Sequence, residues 1–575
     1  MRDVRRSLCA ASGAVALVAA SLAVPVTAGA DATVAGGNTE YLVLLESGAN
    51  RAQAVAAVKA AGGEVVKENA NLGTLTVRAA ASGFVTRVAA SPGVEGAARS
   101  RAIGQLPKDK AKVVEQEHVG AARAGGNAVA KSTKMDPLDS QLWGLSMIRA
   151  DKARKVQPGK KAVKVGVLDS GIDARNPDIA PNFDWKLSRN FVTDIPSVDG
   201  PCEFTSCKDP VGWDDSGHGT HVAGTIGAAA NGFGVSGVAP NVTLVEIRGG
   251  QDSGYLFLGP VTDALTYAGD VGLDVVNMSF YVDPWLYNCT ANPADSPEAQ
   301  AEQRTIIKAM RRALEYAHHR GVTLVGALGN NHEDLGKPRT DLSSPDFPPG
   351  GTYERPIDNA TCVDLPVEGP HVIGVSALGP SGKKADYSNY GLEQIEVSAP
   401  GGWFRDYFGT PQHRTNANLI LSTYPVNTLQ ALMVPDANGV PTVAVDANGA
   451  ITPAGVTAGV QKQCKAGVTD YKRCGYYYVL QGTSMASPHA AGVAALIVSE
   501  YGKQGRRGSF GLDPDKVGKI LLGSAQERAC PTPRLQTYTN EGRSDEFNAL
   551  CEGGRNFNGF YGNGIVDAWA AVTRY

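Results

Sequence analysis

Four side chains whose types could together carry out acyl transfer lie far apart along the chain: Asp169, His218, Asn330 and Ser484. Asp169 follows the apolar run Val163 to Leu168 in VKVGVLDSGID, which predicts a buried parallel strand ending at the Ser170-Gly171 turn. In open α/β sheets that strand end is where reactive groups collect. SGHGTHVAG predicts a helix opening at His218, with Gly219, Ala223, Gly224, Gly227 and Ala228 small enough for close packing. GTSMASP turns at Gly482-Thr483 ahead of Ser484 and runs into an apolar helix over Met485 to Glu500, whose first turn offers N–H groups to a developing negative charge. GVTLVGALGNN, residues 321–331, predicts a strand that brings the amide of Asn330 to the same sheet edge. An acid, a base, a nucleophile and an oxyanion donor are the parts needed for serine-based nucleophilic catalysis.

Each word alone has a plainer reading. Asp-Ser-Gly is a common turn, and Ser before an apolar helix is most often an N-cap. His218 and His221 stand three residues apart, but no Glu completes an HExxH pattern and no further His or Cys lies at ligand spacing, so His221 reads as a packed structural residue. The neighbouring Asn331 leaves open which amide points inward.

Taken together, DSGI, HGTHVAG, GNN and GTSMASP resemble the signatures of subtilisin-like serine peptidases, the subtilases. The resemblance runs from about Gln141 to Tyr575 through SGVAP, VVNMSF, ADYSNYG, VSAPGG and NGIVDAWAAV. The order Asp, His, Ser also matches. It implies an α/β fold, a parallel sheet with helices on both faces, and a secreted serine endopeptidase acting on polypeptides through Ser484, His218, Asp169 and Asn330. It further implies a substrate groove of Ser279, Phe280 and Tyr281 on one side and Ser253 and Gly254 of DSGYLFLG on the other, with Ala327 and Gly329 in the same set. Phe280-Tyr281 departs from the Leu-Gly-Gly usual in the family, and Tyr281 is expected to narrow the primary pocket. A structural Ca²⁺ site is implied at Asp178 and Asn231 through side-chain oxygens, and at Ala229, Phe233 and Val235 through carbonyls; hard oxygen ligands suit Ca²⁺. The plain alternative there is an Asn-Gly turn.

The rest of the chain is compatible with export. Residues 1–30 carry Arg2, Arg5 and Arg6, an Ala/Val/Leu-rich stretch and a small-residue Ala28-Gly29-Ala30 site, the pattern of a secretory signal. Cys9 falls in that signal; the other eight cysteines read as disulfides, for which 105 pairings are open. Nearest-neighbour pairing, 202 with 207, 289 with 362, 464 with 474 and 530 with 551, is the simplest. Residues 39–104 read as βαββαβ, a ferredoxin-like module that resembles the subtilase propeptide, an intramolecular chaperone and inhibitor. A linker with the processing site is expected over 105–135, and the catalytic domain over 136–575. Insertions at 282–306, 332–367 and 403–478 are expected to add surface loops.

The formal net charge of −3 and the lack of a basic patch argue against nucleic acid or an anionic membrane as partner, and no phosphate loop is present. The mature chain is expected to act as a monomer with no organic cofactor. The rival class is a secreted pseudoprotease or peptide-binding protein on the same fold, which would need one of the four catalytic positions replaced; none is.

Overall fold

Short apolar runs supply a central seven-stranded sheet. In the computed structural model, which describes residues 38–80, 83–100, 102–105, 136–281, 284–347, 350–504 and 510–575, its strands lie in the order Val397–Pro400, Val372–Leu378, Thr323–Ala327, Val275–Met278, Lys164–Leu168, Thr243–Arg248 and Arg189–Asn190. Every pairing is parallel, as the predicted strand-helix alternation requires. The inner strands are continuously apolar because helices cover both faces. The largely apolar helix Thr483–Tyr501 packs on several of these strands and against the helix His218–Gly227. The helices Leu258–Val271 and Pro297–His319 pack together on the other core.

The N-terminal module has its own core around Tyr41, Val43, Leu75, Val77 and Phe84. Its strands Asn38–Leu45, Glu64–Asn69, Thr74–Ala80 and Val94–Arg99 form an antiparallel sheet, with Asn38–Leu45 between Thr74–Ala80 and Val94–Arg99. The helices Arg51–Ala60 and Phe84–Ala89 complete the βαββαβ order. Its other face, through Leu42, Leu44, Leu72 and Ala98, joins the core of the helices Leu258–Val271 and Pro297–His319. Gly96 is required at this contact, since a Cβ there would sit 2.5 Å from Thr305 Oγ1. Arg312 donates to the carbonyls of Leu45 (2.9 Å) and Leu72 (3.2 Å) and pairs with Glu95 (2.6 Å). Residues 94–104 read in the sequence as one last strand, and the structure divides them. The first part ends at Arg99, and Ala102–Gln105 forms a separate strand antiparallel to Tyr255–Phe257.

The insertions are also more than surface loops. Within 403–478 the strand Gln461–Gln463 and the pair Ile420–Thr423 and Gly475–Leu480 form a three-stranded sheet, with Tyr476, Tyr477 and Tyr478 buried. Aromatic and β-branched side chains give this segment strand propensity, and burial against the His218 helix does the rest. The other two insertions meet at buried Arg355, which pairs with Asp295 (2.9 Å) and Asp341 (2.9 Å). All four nearest-neighbour disulfides are formed: Cys202–Cys207, Cys289–Cys362, Cys464–Cys474 and Cys530–Cys551. The predicted signal and nearly all of the linker lie outside the described residues.

Candidate active site

Asp169 sits one residue past the strand Lys164–Leu168, fully buried, and the N–H groups of Gly249 and Gly250 (both 3.1 Å) anchor its carbonyl. Its carboxylate accepts from His218 Nδ1, at 2.8 Å to Oδ1 and 3.0 Å to Oδ2. Because an ionised carboxylate only accepts, this contact places the imidazole proton on Nδ1 and leaves Nε2 as the basic nitrogen.

Two residues that sequence reasoning passed over hold the Asp169 strand to the His218 helix. Asp214, fully buried, accepts from the N–H of Gly217 (2.9 Å) and Thr220 (3.0 Å), from Thr220 Oγ1 (2.6 Å) and from Ser170 Oγ (2.9 Å). It satisfies N–H groups that the helix start would leave orphaned. Burial pushes the Asp214 carboxyl up, while these hydrogen bonds pull it down. Ser170 Oγ in turn accepts from Gly219 N (3.1 Å). A Cβ at 219 would lie 2.2 Å from the Gly171 carbonyl, so only glycine permits this approach. His221 is buried one turn in, with Nε2 on the Ile420 carbonyl (2.9 Å), and burial brings it down to about 3. It is the packed histidine that the sequence predicts.

Ser484 is the second residue of its helix and is buried. Pro488, four residues on, has no N–H to give, so the Ser484 carbonyl is released from the helix ladder. Ser279 Oγ takes that acceptor (3.0 Å), and Ser484 Oγ donates to the Ser279 carbonyl (3.0 Å). The end of the strand Val275–Met278 is thereby tied to the head of the Ser484 helix.

Asn330 follows the strand Thr323–Ala327 and is buried. Its Oδ1 accepts from Thr483 N (2.9 Å) and Thr483 Oγ1 (3.0 Å), while Thr483 Oγ1 accepts from Gly329 N (3.1 Å). Nδ2 is the donor end of the same amide. A Cβ at Gly482 would lie 3.6 Å from both Asn330 Nδ2 and Ser484 N and 3.7 Å from Asn330 Oδ1, so the Asn330 amide and the Ser484 N–H border one small space. Asn331 is held differently, through its N–H on Asn389 Oδ1 (2.9 Å). Nothing in the local sequence marks Thr483 for this role.

Of the predicted groove residues, Ser279 is buried with its hydroxyl in the Ser484 and Ser487 contacts, and Phe280 is buried in the core. At these two positions the side chains are turned into the fold. Tyr281 is partly buried against the apolar cluster that contains Leu286, Tyr287 and Leu328. Ser253 donates N–H (3.1 Å) and Oγ (2.8 Å) to Asp199 Oδ1, and Gly254 closes a turn onto the Gln251 carbonyl (2.9 Å). Ala327 is buried at the end of its strand, and Gly329 stands beside Asn389.

In the predicted calcium loop, Asp178 is buried and accepts from Val235 N (2.9 Å), Tyr477 Oη (2.9 Å) and Asn231 Nδ2 (3.1 Å). Ala229 donates its N–H to the Asp178 carbonyl (2.8 Å), and Phe233 is buried in the same loop. Asp136 accepts from the N–H of Asn231 (3.1 Å) and Gly232 (2.7 Å). Burial pushes Asp178 up to about 7 and Asp136 upward, Asp136 adding to the first and Asp139 to the second, while the hydrogen bonds of the loop pull both down. Both carboxylates are held by N–H and O–H donors of the loop and of Tyr477, and they are the hard oxygen groups that a Ca²⁺ ion would use here.

Comparison with known proteins agrees with this geometry. The sequence model of the subtilase family matches residues 160–564, and the chain belongs to that family. It is 28% identical to subtilisin DY of Bacillus licheniformis over 359 residues, which cover 62% of this chain and 85% of that protein. It is 26% identical to the thermostable alkaline protease of Halalkalibacterium halodurans, over 65% of this chain and 67% of that one. The fold is similar to that of the epidermin leader peptide processing serine protease of Staphylococcus aureus, with a TM-score of 0.59 at 19% identity over 94% of this chain and 99% of the other. It is also similar to fervidolysin of Fervidobacterium pennivorans, with a TM-score of 0.54 at 20% identity over 93% and 61%. The protein is a serine-type endopeptidase of the subtilisin class. Among the described residues no helix is long and apolar enough to cross a membrane.

Proposed function

We propose that the chain is a secreted endopeptidase made as a self-inhibited zymogen, with Asp169, His218 and Ser484 as its triad and Asn330 as an oxyanion donor. The observation that carries this reading is the Asp169 carboxylate on His218 Nδ1, with Ser484 at the head of the helix packed against that of His218. Ser484 Oγ leaves the Ser279 carbonyl, gives its proton to His218 Nε2 and bonds to the peptide carbonyl carbon. Asn330 Nδ2 and Ser484 N hold the resulting oxyanion, and Asp169 steadies the imidazolium. The tetrahedral species collapses as His218 returns the proton to the leaving amine; water then repeats both transfers to free the acid product and Ser484. A serine-reactive phosphonate is expected to block casein hydrolysis and to be recovered on the peptide containing Ser484; labelling elsewhere with loss of activity would refute the assignment.

Asn330→Ala removes one oxyanion donor and leaves the Asp169–His218 contact in place. It should lower kcat by about 10²–10³ with little change in KM, read by steady-state hydrolysis of a chromogenic peptide. A rise in KM with kcat unchanged would place Asn330 outside the oxyanion site.

In the same reading residues 1–30 are the export signal, 39–104 the inhibitory propeptide, 105–135 the cleaved linker and 136–575 the mature enzyme. The pairing of Ala102–Gln105 with Tyr255–Phe257 supports it, since an extended segment added to a groove strand is how such sites hold peptide. The loop 228–235 with Asp178 is the proposed calcium site, where Asp178, Asn231 and the carbonyls of Ala229, Phe233 and Val235 would hold the ion. Bound ion would neutralise the buried carboxylates and tie the loop to the strand carrying Asp169. A ligand at 100 times its dissociation constant adds about 2.7 kcal/mol to stability. Excess EDTA should therefore lower Tm by a few degrees, reversed by Ca²⁺ and not by Mg²⁺; an unchanged Tm would mean that the loop closes on its hydrogen bonds alone.

A further inference from the structure

Three of the chain's nine histidines, His318, His319 and His371, meet at one place outside the candidate active site. His318 and His319 close the helix Pro297–His319, and His371 directly precedes the strand Val372–Leu378. That strand lies parallel to Thr323–Ala327, with Leu324 opposite Val372. The histidines therefore stand where these two strands begin, whereas Asn330 follows the far end of Thr323–Ala327. Asp515, in the first turn of the helix Pro514–Ser524, completes the group. One ligand-type atom from each of His318, His371 and Asp515 lies within 4.8 Å of the other two.

The spacing within the group suits one metal ion. His318 Nε2 is 3.1 Å from Asp515 Oδ1; donor atoms around a tetrahedral zinc with bonds of about 2.0–2.1 Å stand about 3.3 Å apart. The His318 side chain is 10% exposed, and its buried Nδ1 has no hydrogen-bond partner among the described residues. A buried ring nitrogen is normally satisfied. With its proton on Nε2 and shared with Asp515, His318 leaves Nδ1 a bare lone pair, and Nε2 becomes a ligand once a metal displaces that proton. His371 stacks face to face on His318, with ring centroids 3.7 Å apart, so the two rings must swing apart for their lone pairs to converge. His371 and Asp515 are exposed, and this movement leaves the core undisturbed. The helix Pro297–His319 ends here, and the C-terminal end of a helix favours a cation. His318, Asp513 and Asp515 line an open cleft, which gives an ion a path from solvent. Of the cations along that cleft, Arg320 pairs with Asp270 (3.3 Å) and Lys503 is exposed.

We propose that His318, His371 and Asp515 form a binding site for one divalent transition ion of the zinc type, with water in the remaining position. The ion would clip the end of the helix Pro297–His319 and the head of the helix Pro514–Ser524 to the start of the strand Val372–Leu378. Two imidazoles and one carboxylate select zinc, cobalt or nickel over Ca²⁺ and Mg²⁺, whereas the loop at Asp178 offers oxygen donors only. Because the site lies at the end of the sheet remote from Asn330, its occupation acts on stability and not on acyl transfer.

The test is calorimetric titration of the tag-free chain with Zn²⁺ in millimolar Ca²⁺, which keeps any oxygen-donor site filled, beside the variants His371→Asn, Asp515→Asn and His218→Gln. Asn tolerates the left-handed backbone at His371 (φ 64°), and the first two replacements are at exposed positions, so the fold is kept. One Zn²⁺ per chain should bind and raise Tm. His371→Asn and Asp515→Asn should each weaken binding by about 10- to 100-fold and shrink the rise in Tm, while His218→Gln should bind as the parent chain does. Co²⁺ should give the visible absorption of a tetrahedral site in the parent chain and not in His371→Asn. No binding to the parent chain at millimolar Zn²⁺, or binding that survives both His371→Asn and Asp515→Asn, would overturn the site. Binding lost in His218→Gln and kept in His371→Asn would place the ion on the catalytic histidine and also overturn the proposal.

Discussion

Ser484→Ala is expected to lower kcat for peptide hydrolysis by about 10⁶, to the background left by binding and oxyanion stabilisation. The fold should survive the change. Ser484 Oγ makes one hydrogen bond, to the Ser279 carbonyl, and its own carbonyl is held by Ser279 Oγ, which the variant keeps. A single hydrogen bond contributes about 0.5–1.5 kcal/mol net, so Tm should move little while activity vanishes. The same variant should accumulate with the pro-segment uncut. Conversion to a shorter mature form at the normal rate would mean that another enzyme performs the cleavage.

Asp169→Asn tests orientation separately from nucleophilicity. The carboxylate accepts from His218 Nδ1 and from Ser170 N (2.8 Å), and only an acceptor on the imidazole side fixes the proton on Nδ1. An amide in that place can present its NH₂ group to the ring, which favours the tautomer with the proton on Nε2, where it cannot take the proton of Ser484. The loss in kcat should be about 10⁴, larger than for Asn330→Ala and smaller than for Ser484→Ala. Activity should recover in part as pH rises and alternative bases ionise. A loss equal to that of Ser484→Ala, with unfolding, would show that buried Asp169 serves stability first.

Much of this was legible in the sequence because buried parallel strands are continuous apolar runs, and Asp169 and Asn330 follow two of them. The helix at His218 announces itself by small residues, and that at Ser484 by its apolar length. The eight cysteines pair with their nearest neighbours, three pairs within short loops and Cys289–Cys362 across the paired strands Asn288–Cys289 and Cys362–Val363. The residues that align the site were not legible. Asp214 looks like a turn aspartate, Thr483 like part of a helix entry, and Pro488 like a helix breaker. Their roles come from partners 153 positions away in the case of Thr483 and Asn330, a separation at which no periodicity speaks. The segment 403–478 failed for a related reason. Its strands are short and interrupted by Gly and Asn, and only the surface of the His218 helix, which takes Ser422 Oγ on the His221 carbonyl (2.8 Å), makes them buried. The break at Ser100, which sends Ala102–Gln105 to the strand Tyr255–Phe257, likewise reflects a partner far along the chain and not a local signal.

The most direct measurement is a crystal structure of the mature enzyme after reaction with a peptidyl phosphonate. A covalent bond from Ser484 Oγ to phosphorus is expected, with one phosphoryl oxygen between Asn330 Nδ2 and Ser484 N and the imidazole of His218 within hydrogen-bond reach of the adduct. Phosphorus bonded elsewhere, or His218 turned away from it while the free enzyme cleaves peptides, would contradict the account.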